Sequence, residues 1–215
     1  NEEDYVKEGF PKDELATLWT SNPAKIYNPD KLFNITAVSD NSKFNIGNYE
    51  FTCISTPGHT PGHMCLYLKK EKILFSGDHI LFDISPNITR WPMVENSLKD
   101  YIDSLQKIKG YEVKLTLPAH RNNDMDLYHR VDELIHHHEL RLEEVFEIVT
   151  ANSGLNAYDI AGKMKWSLKA KNWSEAPAQQ KWFAVGETLA HLDYLEIDNK
   201  IYKELIDDIY VYYVK

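Results

Sequence analysis

The chain has 215 residues, 43% of them hydrophobic, and a formal net charge of −9 at pH 7. That is enough apolar content for one large domain or one and a half small ones, while the acidic balance argues against broad, sequence-independent nucleic-acid binding, which draws its affinity from a basic face. No apolar run is long enough to span a membrane and no signal-like start occurs, so no membrane partner is expected; Cys53 and Cys65 lack a zinc-like spacing and read as small buried hydrophobes in a reducing cytoplasm.

Taken in order, residues 1 to about 23 carry apolar points at Tyr5, Val6, Phe10, Leu15, Leu18 and Trp19 with a break at Pro11, a pattern of two short helices. From Ile26 to Asn48 the chain reads as turns and short strands: a turn at Tyr27 to Asp30, a strand at Ile35 to Val38, and a hairpin lead-in at Phe44 to Asn48. Strands follow at Tyr49 to Ser55, Met64 to Leu68, Ile73 to Phe75 and Val113 to Leu117, with a helix between the last two, where Leu98, Tyr101, Ile102, Leu105 and Ile108 recur at helical spacing.

Thr56 to His63, Thr-Pro-Gly-His-Thr-Pro-Gly-His, is the most constrained stretch, because two prolines and two glycines in eight positions force a rigid, sharply turned loop. Two more strands run into turns that end on metal-capable side chains, at Ser76-Gly77-Asp78-His79 and Leu117-Pro118-Ala119-His120. Three strand ends delivering His59, Asp78 and His120 suit a divalent zinc site, in which imidazole nitrogen and carboxylate oxygen are favoured ligands. His79 is expected to be structural, since neighbours on an extended segment point to opposite faces. On the loop after Asp78, Asp83, Asn87, Thr89 and Arg90 are candidates for the mouth of a site, and Arg90 is the candidate substrate contact, a guanidinium suited to a carboxylate or phosphate.

At these motifs the sequence resembles the metallo-β-lactamase superfamily of binuclear metallohydrolases. The resemblance implies an α/β fold, the αββα sandwich, and metal-assisted hydrolysis; His59 corresponds to a ligand of one zinc, Asp78 to the carboxylate bridging two, and His120 to a ligand of the second. His63 falls where a group behind the ligands is usual. The family's His-x-His-x-Asp-His motif is absent before His59, and the chain starts at Asn1 without a methionine. The expectation is therefore the C-terminal part of a longer protein, whose upstream sequence supplies the missing ligands, the general acid or base, and half the sandwich. Such a chain alone is expected to bind one zinc or none and to be inactive, whereas the full-length protein carries two zinc ions and hydrolyses a small ester or thioester. The alternatives are a nucleic-acid-binding protein or endoribonuclease, and a degenerate, non-catalytic member.

Asp124 to about Thr150 reads as one long connecting helix. His136, His137 and His138 lie on it, and three consecutive helical residues spread too widely round the axis to face one ion, so solvated or packing roles are expected. The domain division is 1–123 for the hydrolase part, 124–150 for the connecting helix and 151–215 for a small second domain. The last comprises a helix at Leu155 to Trp166, a helix at Pro177 to Leu195 with Pro177 in its first turn, and a ribbon of Lys200 to Lys203 with Ile209 to Val214: the winged-helix order. The phrase Leu189 to Leu195 resembles the C-terminal domain of the β-lactamase-like protein 2 group. Lys163, Lys165, Lys169 and Lys171 with Trp166 and Trp173 form a mix that suits a single strand, but Glu204, Asp207 and Asp208 put carboxylates on the wing, where phosphates would be repelled.

Overall fold

A computed structural model describes residues 2–20, 34–167 and 169–215. The described elements are α1 (Glu2–Lys7), α2 (Lys12–Thr20), β1 (Lys43–Ile46), β2 (Tyr49–Ser55), β3 (Met64–Leu68), β4 (Ile73–Gly77), α3 (Ser97–Ile108), β5 (Leu115–Pro118), α4 (Leu127–Ala151), α5 (Ala157–Lys163), α6 (Ala178–Ile197), β6 (Ile201–Ile206) and β7 (Ile209–Val214). By packing they form two compact units, Ala37–Arg141 and one joining Asn1–Thr36 to Leu142–Lys215. The N-terminal helices, read from sequence with the hydrolase part, thus pack with the C-terminal segment.

In the first unit, strands β1 to β5 lie in sequence order in one five-stranded sheet, antiparallel up to β4 and parallel between β4 and β5. Side chains alternate across it. One face carries Ile54, Cys65, Tyr67, Leu74, Ser76 and Thr116, all buried. The helices of this unit bury their own stripes, Leu98, Tyr101, Leu105 and Ile108 on α3 and Val131 and Leu134 on α4. The opposite face is equally apolar but incompletely covered: Cys53 and Leu68 are buried, Phe44, Phe51, Leu66, Ile73, Phe75 and Leu117 are half-buried, and Ile46, Tyr49 and Leu115 are exposed. Phe44, Phe51 and Phe75 form a row across three of its strands, with ring centroids 5.3 and 5.8 Å apart. Cys53 and Cys65 are buried free thiols in neighbouring strands, on opposite faces, and burial pushes the Cys65 thiol up to about 12.

Two strand expectations need correction. Ile35 to Val38 forms no strand, and the exposed side chains of Ile35 and Val38 show that apolar, β-branched composition without a pairing partner does not make one. Val113 lies outside β5 because its N–H is taken by the Tyr128 hydroxyl at 3.1 Å, so the ladder with β4 starts at Leu115. The turn expected at Tyr27 to Asp30 lies outside the described residues.

The second unit has a closed core in which Phe10 and Leu15 join Val145, Val149, Ile160, Val185, Leu189, Leu192 and Tyr212. Pro177 stands just before α6 rather than inside it, and its carbonyl accepts from Gln180 and Lys181 at 2.9 and 3.1 Å. Antiparallel β6 and β7 are joined through Asp207 and Asp208, both at positive φ (49° and 63°), the backbone of a tight two-residue hairpin. Among the described residues no helix is long and apolar enough to cross a membrane.

Candidate metal centre

The loop between β2 and β3 is held at both ends. Thr56 N–H donates to the His63 carbonyl at 3.0 Å, and the Thr56 hydroxyl shares a 2.8 Å hydrogen bond with His63 Nδ1. Gly58, at φ 138°, presses on α3 so closely that a Cβ there would lie 2.4 Å from Tyr101 Cβ and 2.6 Å from its Cα. Ser104, one turn on, donates to the Pro57 carbonyl at 2.9 Å. A glycine is therefore required at 58, and the loop is docked on a helix before either histidine is considered.

His59 Nδ1 lies 2.8 Å from the Asn87 carbonyl, which can only accept, so Nδ1 carries the proton and the Nε2 lone pair is free. That Nε2 faces Asp78 Oδ2 at 4.0 Å. The other carboxylate oxygen, Oδ1, lies 3.2 Å from His120 Nε2. Asp78 and His120 are neighbours because β4 and β5 run parallel, with Gly77 opposite Pro118 and Ala119 N–H donating to the Gly77 carbonyl at 3.0 Å. All three expected ligands thus meet at the ends of strands, with Asp78 in the middle.

Their chemistry fits a divalent ion: two imidazole nitrogens and a carboxylate, one imidazole already fixed in the tautomer that presents a lone pair. The set is partial. Among the described residues no three His, Cys, Asp or Glu side chains are gathered tightly enough to hold an ion by themselves. His120 is largely exposed, and Asp78 is about one-third exposed.

His63 lies behind this group. Its ring is 6.5 Å from that of His59, and its Nε2 would sit 2.7 Å from a Cβ at Gly77, so the glycine before Asp78 makes room for it. Burial first, then the neighbouring His59, hold its pKa below the ordinary imidazole value, with Asp78 opposing. His79 is fully buried, its ring 5.9 Å from His63 and 5.2 Å edge-on from Tyr101. Burial, helped by His63 and opposed by the Ser104 backbone, pushes its pKa down to about 3, so it is a neutral packing group at ordinary pH. His136 is exposed beside Glu139 at 3.3 Å, whereas His138 is buried with its ring 5.4 Å from Tyr101; the three helix histidines do not converge.

Tyr101 emerges as the keystone that sequence periodicity reads only as one more apolar position. Its backbone receives Gly58, its ring packs between His79 and His138, and its hydroxyl donates to the His79 carbonyl at 2.9 Å. On the loop after Asp78, Asn87 acts through its main-chain carbonyl, and Asp83 accepts from Asn122 N–H at 3.3 Å, joining this loop to the one after His120. Trp91, not singled out from sequence, donates its indole N–H to the His59 carbonyl at 3.0 Å. Arg90 is half-buried on the same loop.

The metallo-beta-lactamase superfamily profile matches residues 7–120. The chain is 31% identical over 127 residues to a Beta-lactamase-like protein 2 homolog of Caenorhabditis elegans, covering 59% of this chain and 41% of that protein. It is 26% identical over 214 residues to the Lactamase-like protein adaB of Aspergillus niger, covering 82% and 65%. In fold it resembles a beta-lactamase domain protein from Burkholderia ambifaria (TM-score 0.83, 23% identity, 98% of this chain and 60% of that one) and a metallo-beta-lactamase family protein from Thermus thermophilus (TM-score 0.73, 24% identity, 97% and 67%). The chain thus spans less than two-thirds of either of these curated relatives. With the superfamily profile covering more than half of it, and the superfamily's strand-end motifs brought together in space, this chain belongs to the metallo-beta-lactamase superfamily.

Proposed function

We propose that the chain is part of a metal-dependent hydrolase, in its complete form a binuclear zinc enzyme acting on a small ester or thioester. The observation that carries this reading is the division of Asp78: Oδ1 is turned to His120 Nε2 at 3.2 Å and Oδ2 to His59 Nε2 at 4.0 Å, the disposition of a carboxylate shared between two sites. In this reading His59 serves one ion, His120 the other and Asp78 both, while His63 supports the group from behind. When bound, such ions supply Lewis-acid polarisation of the scissile group and a lowered pKa for water. This chain's residues contribute the rest: the Asn87 carbonyl fixes the His59 tautomer, the parallel strands hold Asp78 beside His120, and Arg90 is proposed to meet an anionic part of the substrate.

Further donors, a general acid or base and a second sheet are proposed to come from residues outside this chain. The half-covered apolar face of the sheet and the greater length of the relatives support this. A winged-helix reading of the second unit is supported by the order α5, α6, β6, β7, and a cytoplasmic home by the two buried free thiols. The nucleic-acid reading loses half its basis. Trp166 and Trp173 pack against the core of the second unit, with the Trp166 indole donating to the Ala161 carbonyl at 2.8 Å, so neither is presented for base stacking. Lys163, Lys165, Lys169 and Lys171 are exposed, as are Glu204, Asp207 and Asp208 on the ribbon.

The test is turnover of a thioester and ester panel by the natural-length protein, before and after chelation and zinc repletion. The expected result is activity that chelator removes, zinc restores and Asp78→Ala abolishes. Undiminished turnover in the Asp78→Ala protein would overturn the assignment.

A further inference from the structure

The five-residue segment Asn87 to Trp91 touches His59 twice, from two directions. The Asn87 carbonyl accepts from the ring Nδ1–H at 2.8 Å, and the Trp91 indole N–H donates to the His59 main-chain carbonyl at 3.0 Å. Between them Ile88 is fully buried, so the segment is pinned in the protein at its middle. Just beyond, the chain reverses in a turn closed by Val94 N–H to the Trp91 carbonyl at 3.2 Å. Pro92 fills the position that favours a fixed negative φ, and Met93 takes φ 65°, which an unbranched residue tolerates only at a cost in strain. Nothing in the Met93 side chain compensates, since it is fully exposed.

We propose that Trp91 is a positioning residue for His59: its indole bond to the His59 carbonyl and the Asn87 carbonyl's bond to the His59 ring act as one clamp, holding the imidazole in the tautomer and orientation that present Nε2 toward Asp78. The clamp needs both contacts. The ring bond selects the tautomer, whereas the indole bond ties the His59 main chain to the same segment that supplies the acceptor. The loop after Asp78 thereby sets the geometry of a ligand on another loop. This inference rests on the reading of His59 as a metal ligand.

The test uses the natural-length protein and zinc as the probe, with affinity measured by competition against a chromophoric chelator and the ligand field read from the visible spectrum of the cobalt(II)-substituted form. Trp91→Phe keeps an aromatic ring and deletes the N–H. The expected result is zinc binding weakened about tenfold, the low end for loss of a partner behind a ligand, and an altered cobalt spectrum, with the metal-free melting temperature little changed. Unchanged affinity and spectrum would overturn the inference. A readout in the unsubstituted protein covers the case in which Trp91→Phe does not fold. Coupling is reciprocal, so solvent exchange of the Trp91 indole proton should slow when zinc is added, and an exchange rate indifferent to zinc would equally overturn it. His59→Ala separates the two levels: if that protein retains zinc at wild-type affinity, the metal reading itself fails, whereas loss of zinc there with no effect of Trp91→Phe removes only the clamp.

Discussion

The two faces of the five-stranded sheet are both apolar, yet one is sealed and the other is not. Ile54, Cys65 and Leu74 on the sealed face are fully buried, whereas on the opposite face Tyr49 and Leu115 are 53% and 43% exposed and the Phe44, Phe51 and Phe75 row is only half-covered. A folded domain rarely leaves an apolar surface of this kind open without a use for it. The division matches that at the candidate centre, where strand ends bring three donors together without completing a site. The second unit, by contrast, closes its core around Tyr212 and Leu192. In the reading proposed above, the open face and the three-donor set would both be completed by residues outside this chain.

The largest effect expected from testing this contrast is on the sealed side. Tyr101→Ala removes the group on which the His59 loop, the His79 turn and α4 all rest, and should cost about 4 kcal/mol in urea denaturation. Leu74→Ala should cost about 3 kcal/mol by the same measurement, and Leu115→Ala, across the sheet, less than about 1 kcal/mol in this chain. The comparison sharpens if, as proposed, residues outside this chain cover that face: in a protein carrying them the Leu115→Ala cost rises toward that of Leu74→Ala, and an equally small cost there would break it.

Acid should find the sealed side first. His79 is held neutral with its pKa at about 3, below the ordinary 6.5, so the unfolded chain binds the extra proton between those values. The contribution is therefore intact above about pH 6.5 and is lost progressively as pH falls toward 3. His79→Gln should flatten that part of the stability–pH curve, and an unchanged slope would show that other groups carry it. Tyr101→Phe should cost about 1 kcal/mol by thermal melting, for the single hydrogen bond to the His79 carbonyl.

How far the sequence could be read varies with the range of the interactions involved. Strands β2 and β3 were legible to the residue, because short β-rich runs bounded by Gly and Pro leave little choice. Helix α3 was legible from its apolar stripe, and the structure adds its N-cap, Asn96, whose side chain accepts from Lys99 N–H. The convergence of His59, Asp78 and His120 followed from three strand ends in one sheet. Ile35 to Val38 misled because a run can have strand composition and no partner. Trp91 and Tyr101 were not legible as site residues, and Asn87 was legible only as a candidate for the mouth of the site and not as the partner of His59, since each works through a main-chain contact 22 or more positions away, where side-chain pattern carries no trace. The grouping of residues 1–36 with the C-terminal segment was hidden for the same reason: the Glu14–Lys181 pair and the Glu8–Tyr212 hydrogen bond join ends of the chain that no local pattern connects.

The central claim is that His59, Asp78 and His120 are one part of a shared two-metal centre, with Asp78 serving both ions. Counting zinc in the natural-length protein by native mass spectrometry tests it most directly. The account predicts two ions per chain, loss of both or all but a weakly held one in Asp78→Ala, and retention of one in His120→Ala. Two firmly held ions in the Asp78→Ala protein would contradict it.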